Sequence, residues 1–167
     1  MIYIGEGFEG SGGNAAHINL LLGPKQALAT AWATAAASPG PGHVPFQAVL
    51  KPNVPVKPAT LFIGKAVLAG SNHETMTWGP AQLGVGAGIT RALLDGVLPT
   101  GAEDDWLAIA LVWVNPKADD AEAVYANNKA AARSAAQRAL TSGWPARAEL
   151  ESALKSLGNP FYTPRNP

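Results

Sequence analysis

Residues 15–22 read Ala15-Ala16-His17-Ile18-Asn19-Leu20-Leu21-Leu22, an apolar run that contains two polar side chains. This composition predicts a β-strand, in which successive side chains point to opposite faces of a sheet. One face then carries only aliphatic residues and the other carries both polar ones: Ile18, Leu20 and Leu22 against His17, Asn19 and Leu21. The strand therefore separates an apolar face from a face on which His17 and Asn19 stand together.

The sequence before this strand predicts that it is the second arm of a β-hairpin. Residues 2–8 alternate weakly between apolar and polar, which is typical of a strand. Between the two runs stands Ser11-Gly12-Gly13-Asn14, and these residue types favour a turn. The chain is thus expected to open with two antiparallel strands.

The rest of the chain mixes helices and strands without regular alternation. Helices are predicted at 25–37, 71–78, 80–96, 119–140 and 145–158, strands at 46–50, 60–68 and 106–114, and an extended proline-rich connector at 52–58. The strongly apolar run 106–114 is expected to be a central strand. This pattern predicts an α/β domain built as a two-layer sandwich over residues 1–142, followed by a C-terminal helix and proline-rich tail over 143–167.

Two helical segments carry specific expectations. Ser71 and Glu74 have capping-box spacing, which predicts a helix that begins at Ser71. Gly84, Gly86 and Gly88 each cost a helix about 1 kcal/mol relative to alanine. We expect close backbone packing against this helix to offset that cost.

Composition excludes several classes of protein. The 167 residues carry 12 basic and 12 acidic side chains and no cysteine. A neutral chain without basic runs is not expected to bind nucleic acid, and a chain without cysteine has no disulfide, thiolate nucleophile or cysteine-ligated zinc. The start does not resemble a signal peptide, and no apolar run approaches the roughly 20 residues of a membrane span. The expected location is the cytoplasm.

His17 is the first candidate for catalysis, because histidine can give and take protons near neutral pH. The three histidines have no metal-ligand spacing, so no metal site is predicted. The alternative for His17 is a structural histidine at a sheet surface or subunit contact. Asn19, on the same face, is either a ligand-orienting amide or an exposed polar residue.

Two further segments are candidates for ligand binding. The run from Lys51 to Lys57, which includes Asn53, places two lysines on a stiff proline-rich backbone that would lose little entropy on binding. Its alternative is a rigid edge connector. Trp78 and Gln82 bracket a predicted helix start, where free N–H groups can meet a polar ligand. The alternative is a core tryptophan at a helix break.

Taken together, these segments resemble the formaldehyde-activating enzyme family. The matching pieces occur in the family's order from about residue 3 to 141: Gly5-Glu6, Ala16-His17-Ile18-Asn19-Leu20, Gly23, Ala48-Val49-Leu50, 51–61, Lys65, Gly79-Pro80-Ala81-Gln82, Asp104-Asp105, Asn115-Pro116, Ala118-Asp119-Asp120, Tyr125, Asn128 and Arg138-Ala139. The most specific pieces are the proline-rich segment 51–61 and the later Gly-Pro-Ala-Gln.

The resemblance implies a fold, an activity and an assembly. The implied fold is a single α/β domain with a left-handed βαβ crossover, similar to domain 2 of a ribosomal protein, and the implied assembly is a ring-shaped homopentamer. The implied reaction joins formaldehyde to tetrahydromethanopterin as co-substrate, in a cleft between subunits, with no metal or redox cofactor. His17 matches the family's catalytic acid/base, Gln82 matches its ligand-side glutamine, and Asn19, Lys51, Asn53, Lys57 and Trp78 are candidate substrate or subunit contacts.

The chain departs from the family pattern at several positions. An aspartate is usual where Asn19 stands, an acidic residue where Ser11 stands, and a second histidine where Asn115 stands. Leucine is usual at Gln47, and Tyr-Asn-Tyr becomes Asn127-Asn128-Lys129. These departures leave two alternatives to the enzyme: a divergent paralogue that binds a pterin or aldehyde as a sensor or carrier, and a structural or partner-binding oligomer.

Overall fold

A five-stranded mixed sheet forms the centre of the structure, in the order β1-β2-β7-β6-β3. The structure is a computed structural model that describes residues 1–142, 145–159 and 162–165. The strands of the main sheet are β1 (Tyr3–Glu9), β2 (Ala16–Pro24), β3 (Phe46–Gln47), β6 (Ala59–Gly64) and β7 (Trp106–Trp113). A separate hairpin pairs β4 (Val49–Lys51) with β5 (Val54–Pro55).

The helices follow the order of the chain. They are α1 (Lys25–Ala37), α2 (Ser71–Met76), α3 (Gln82–Leu94), α4 (Ala102–Asp105), α5 (Ala121–Gln137) and α6 (Arg147–Ala153). A single 3₁₀ turn spans Gly12–Asn14, and π-helical segments span Thr77–Ala81 and Arg138–Ser142. Within the described ranges, no helix has the length and apolar character needed to cross a membrane.

The predicted hairpin and the predicted central strand are both confirmed. β1 pairs with β2 antiparallel, and β2 pairs with β7 antiparallel. β6 joins β7 in parallel, so α2 and α3 belong to a βαβ crossover between neighbouring strands. β7 therefore lies in the middle of the sheet, which agrees with its nearly continuous apolar sequence.

The apolar face of β2 is buried as predicted. Ile18, Leu20 and Leu22 are each at most 1% exposed and belong to the main core. α5 covers this face beside β1 and β2, and α3 packs against α5. Gly5 and Gly7 let α5 approach closely, since a β-carbon on either would overlap a helical carbonyl oxygen.

The glycines of α3 have the packing role that the sequence predicted. A β-carbon on Gly84 would lie 2.5 Å from the carbonyl oxygen of Tyr125 on α5. One on Gly88 would overlap the carbonyl oxygen of Lys129, and one on Gly86 would lie 2.8 Å from Val56. Gly84 and Gly88 thus bring the backbones of α3 and α5 into contact, and Gly86 lets Val56 pack against α3, where dispersion contacts can offset the poor helix propensity of glycine.

The opposite face of the sheet is covered only in part. Leu28 and Trp32 of α1 pack with Leu21, Leu61 and Ile109 in a second, smaller core. The mixed α/β architecture is therefore confirmed, but the expected two-layer sandwich is too simple, because helices pack on both faces. α1 leaves the end of this face that carries His17 open.

The segment 46–59 differs most from its prediction. The strand expected over residues 46–50 is interrupted at Ala48, which accepts a hydrogen bond from Val56 and donates one to Thr60. The extended connector predicted at 52–58 is also wrong, because Asn53 adopts φ 65° and turns the chain back into β5. Tertiary hydrogen bonds to Thr60 of β6 and to Val56, which follows β5, override the local pattern here.

The predicted helix start at Ser71 is confirmed, whereas its cap, a helix break and a strand end are corrected. α2 begins at Ser71, but the capping box does not form, since no side chain caps the helix. The helices predicted separately over 71–78 and 80–96 are continuous, because the π-helical segment joins them. Pro80 lies in this segment, at a position where no backbone N–H is needed. β6 ends at Gly64 and not at residue 68.

The C-terminal part contains less helix than predicted. α5 begins at Ala121, with the carboxylate of Asp120 accepting a hydrogen bond from the backbone N–H of Ala123. α6 ends at Ala153, five residues short of Gly158, and buries none of its residues. Residues 143, 144, 160, 161, 166 and 167 are outside the described residues. The predicted domain boundary at 142/143 and the end of the predicted tail fall on these residues.

Candidate active site

The open end of the second sheet face carries a group of polar side chains from three strands. In the antiparallel registers Phe8 pairs with His17 and His17 with Trp113, while Glu6 pairs with Asn19. Lys65 follows the last residue of β6 and donates its N–H to Val112. The pleat therefore brings Glu6, His17, Asn19 and Lys65 to one surface, which we call the His17 cluster.

His17 has a polar partner at each ring nitrogen. Its Nε2 lies 2.7 Å from Oε1 of Glu6, and its Nδ1 lies 3.4 Å from Nζ of Lys65. Because a carboxylate only accepts hydrogen bonds, Nε2 donates and the lone pair of the neutral ring lies on Nδ1. The side chain is 33% exposed, so its own chain does not enclose the imidazole.

Lys65 connects His17 to Asn19. Its Nζ donates to Oδ1 of Asn19 at 2.5 Å while remaining near the imidazole. Burial lowers the pKa of Lys65 from its usual 10.5, and the negative charge of Glu6 opposes that shift. The cluster thus combines a carboxylate, an imidazole, an ammonium whose charge is poorly solvated, and an amide, which together can move protons on and off a bound molecule.

The sequence predicted half of this cluster. His17 and Asn19 share a face as the alternation of β2 required. No function was predicted for Glu6, although a hairpin centred on the glycine turn would have placed it near His17. No function was predicted for Lys65 either. Its position depends on the parallel pairing of β6 with β7, which the local sequence does not indicate.

The predicted lysine segment lies on the small β4–β5 hairpin. Lys51 is exposed in β4 and Asn53 forms the turn. Lys57 pairs with Asp104, with Nζ 2.5 Å from Oδ1. This hydrogen bond raises the pKa of Lys57 and lowers the pKa of Asp104.

Gln82 and Trp78 have different surroundings. Gln82 is 7% exposed, and its Nε2 donates to the carbonyl oxygen of Val49 at 2.8 Å, which ties α3 to the β4–β5 hairpin. Trp78 is 47% exposed and borders a shallow crevice beside His43 and Phe62. His17 is not among the residues that line this crevice. The structure thus brings His17 and Asn19 together, whereas Gln82 contacts the hairpin that carries Lys51 and Asn53.

The other two histidines have structural contacts. His73 is 1% exposed; its Nδ1 accepts from the N–H of Ala69 and its Nε2 donates to the carbonyl of Val114. His43 donates from Nδ1 to the carbonyl of Gly64. Among residues 1–142, 145–159 and 162–165, no three or more His, Asp or Glu side chains form a group that could hold a metal ion.

The structure is thus a mixed α/β domain that carries an acid–base cluster at the open end of one sheet face. The chain belongs to the formaldehyde-activating enzyme family, whose family model matches residues 4–162. The resemblance to this family, indicated by matching sequence pieces in the family's order, is therefore confirmed.

Characterised relatives cover most of the chain. It is 35% identical over 159 residues to 5,6,7,8-tetrahydromethanopterin hydro-lyase of Methanosarcina barkeri, a match covering 95% of this chain and 89% of the relative. It is 34% identical to the bifunctional enzyme Fae/Hps of Methanococcoides burtonii over 87% of this chain and 37% of that protein. It is 36% identical to the bifunctional enzyme Fae/Hps of Methanosphaera stadtmanae over 82% of this chain and 34% of that protein. The chain thus spans about a third of these bifunctional proteins.

Proposed function

We propose that this protein joins formaldehyde to tetrahydromethanopterin, giving the methylene derivative and water. The observation that carries the proposal is the imidazole of His17, held between Glu6 and Lys65 at the open end of one sheet face. The reaction in the name of the Methanosarcina barkeri relative, which aligns over 95% of this chain, supports the same chemistry.

The reaction needs both an acid and a base. A pterin amine adds to formaldehyde to give a carbinolamine, which must lose hydroxide to become an iminium ion. The departing hydroxide needs a proton, and the second pterin amine must lose a proton when it closes the five-membered ring. One imidazole can do both in turn, because it gives up its proton in the first step and recovers one in the second.

His17 is the acid/base of this scheme, and Nδ1 is the nitrogen that exchanges the proton. Glu6 holds the other nitrogen as a donor and stabilises the imidazolium that forms on protonation. General acid–base catalysis of this kind contributes roughly 10²–10⁴ in rate. Asn19 orients the cluster through its contact with Lys65.

The proposed pterin contacts are Lys51, Asn53, Lys57 and Gln82, which form a second region around the β4–β5 hairpin, together with Trp78 at the crevice beside His43 and Phe62. Gln82 contacts the hairpin and not the His17 cluster, so the two regions would face one cleft if they came from neighbouring subunits. A homopentameric ring, a left-handed crossover between β6 and β7, and a cytoplasmic location complete the proposal.

The test follows methylene-pterin formation from formaldehyde and tetrahydromethanopterin against the spontaneous reaction. Wild type should exceed the blank, and His17→Ala should lose that excess. His17→Gln is the matched control, because it keeps a polar side chain that cannot titrate, and it should be equally slow. Circular dichroism checks that both variants fold. If wild type matches the blank, the enzymatic proposal fails, and binding of the pterin without turnover would support the carrier alternative.

A further inference from the structure

We propose that Lys65 is a nucleophile that captures formaldehyde covalently, and that His17 supplies and receives the protons of this capture. The inference rests on the proposed function and adds a step before the pterin reacts. Unhindered aldehydes add readily to neutral amines, and lysines placed in poorly solvated sites carry this chemistry in other enzymes. The geometry around Nζ of Lys65 carries the proposal.

The surroundings of Lys65 do not favour a permanent ammonium. Its two hydrogen-bonding contacts are the amide oxygen of Asn19 and Nδ1 of His17, and both are neutral acceptors. The carboxylate of Glu6 contacts His17 at 2.7 Å and acts on Lys65 only from farther away. Because burial outweighs that attraction, the pKa of Lys65 is lowered, so the neutral amine forms more readily than on an exposed lysine.

Transfer of one proton from Lys65 to His17 produces both the nucleophile and the acid. When a proton passes from Nζ of Lys65 to Nδ1 of His17 across 3.4 Å, Lys65 becomes a neutral amine and His17 becomes an imidazolium. Glu6, on the other ring nitrogen, stabilises that positive charge. The nucleophile and the acid therefore arise together and in contact.

Capture then proceeds in two balanced steps. The lone pair of Nζ forms a bond to the carbon of formaldehyde, and after proton transfer within the adduct the product is a neutral carbinolamine. His17 gives its proton to the hydroxyl oxygen, the C–O bond breaks, and water leaves. Lys65 now carries a methylene iminium and His17 is neutral again. No oxidant or reductant is consumed.

In the next stage, the methylene carbon moves from Nζ of Lys65 to the pterin. A pterin amine adds to the methylene carbon and gives its proton to His17, which forms an aminal between Lys65 and the pterin. His17 returns the proton to Nζ, the bond between the carbon and Nζ breaks, and Lys65 leaves as a neutral amine. The pterin iminium then closes its ring with the second amine, whose proton passes to Nζ and restores the Lys65 ammonium. The net reaction is the one proposed above.

The test traps the iminium on the full-length protein. Isotope-labelled formaldehyde is supplied below the protein concentration, borohydride is added at short times, and N-methylation of each lysine is measured by peptide mass spectrometry. Lys57 is the matched comparison within the same chain, since Asp104 raises its pKa. We expect methyl groups to appear on Lys65 faster than on Lys57, because burial lowers the pKa of Lys65 and leaves more of it as the neutral amine, whereas the contact with Asp104 raises the pKa of Lys57.

Two variants separate this inference from the proposed function. Asn19→Asp should hold the ammonium with a carboxylate and slow labelling of Lys65. Lys65→Arg keeps a cation that can reach Asn19 but has no nucleophilic amine, so it should lose the excess rate in the condensation assay. Equal labelling of Lys65 and Lys57, or full activity of Lys65→Arg, overturns the covalent step. Loss of activity in His17→Gln beside full activity in Lys65→Arg would leave the proposed function intact, whereas full activity in His17→Gln would overturn the acid/base role of His17.

Discussion

Oε1 of Glu6 lies 2.7 Å from Nε2 of His17, although the two residues are not partners in the β1–β2 register. Glu6 pairs with Asn19 and His17 pairs with Phe8, so the contact runs diagonally across the hairpin. The diagonal brings the carboxylate to one ring nitrogen and leaves the other toward Lys65. This arrangement fixes which nitrogen of His17 is available for proton exchange.

Replacing that carboxylate tests its role without disturbing the fold. Glu6→Gln keeps a hydrogen-bonding side chain of the same size but loses the charge that stabilises the imidazolium. We expect kcat to fall, by less than the roughly 10²–10⁴-fold that the acid/base itself contributes. Because the Glu6 side chain is 58% exposed, thermal unfolding should be nearly unchanged. Unchanged kcat would show that Glu6 does not act on His17.

The lowered pKa of Lys65 predicts how stability changes with pH. Folding disfavours the ammonium, so the folded protein releases this proton at a lower pH than the unfolded chain, where the pKa is near 10.5. The folded state then binds fewer protons between the two pKa values, and stability rises with pH in that window. We expect wild type to gain stability relative to Lys65→Met as the pH rises from neutrality toward 10.5, measured by urea unfolding. A parallel pH dependence of the two proteins would contradict the burial of this charge.

The contact between α3 and α5 should not tolerate a single added methyl group. Gly84→Ala places a β-carbon 2.5 Å from the carbonyl oxygen of Tyr125, where only backbone movement can relieve the overlap. We expect a loss of about 1–3 kcal/mol in the free energy of unfolding. Gly79→Ala is the control, since no atom outside its own helical turn lies within 4 Å of its β-carbon, and it should be neutral or slightly stabilising. Equal effects of both substitutions would argue against close packing here.

A substitution at Gln82 tests the region around the β4–β5 hairpin. Gln82→Met removes the donor to Val49 and leaves that carbonyl without this partner. A lost hydrogen bond that leaves a partly buried group unpaired costs about 1–3 kcal/mol, visible in thermal unfolding. If this region also contacts the pterin, KM for the pterin should rise more than kcat falls. An unchanged KM would limit Gln82 to its structural contact.

The parts of the site that the sequence could predict are those encoded in short-range patterns. Alternation along β2 put His17 and Asn19 on one face, and the glycine spacing in α3 implied the close helix contact. Contacts between distant segments were not predictable in the same way. Lys65 reaches His17 across 48 positions of sequence, because β6 and β7 pair in parallel. β3 ends before Ala48, because the backbone of Ala48 bonds to Thr60 of β6 and to Val56 after β5.

The two glycines of β1 have a consequence on the far side of the sheet. Gly5 and Gly7 flank Glu6 and seat the strand directly on the backbone of α5. A side chain at either position would lift the strand away from the helix and displace the carboxylate that reaches Nε2 of His17. The distance between Glu6 and His17 on one face of the sheet therefore depends on the absence of side chains at Gly5 and Gly7 on the opposite face.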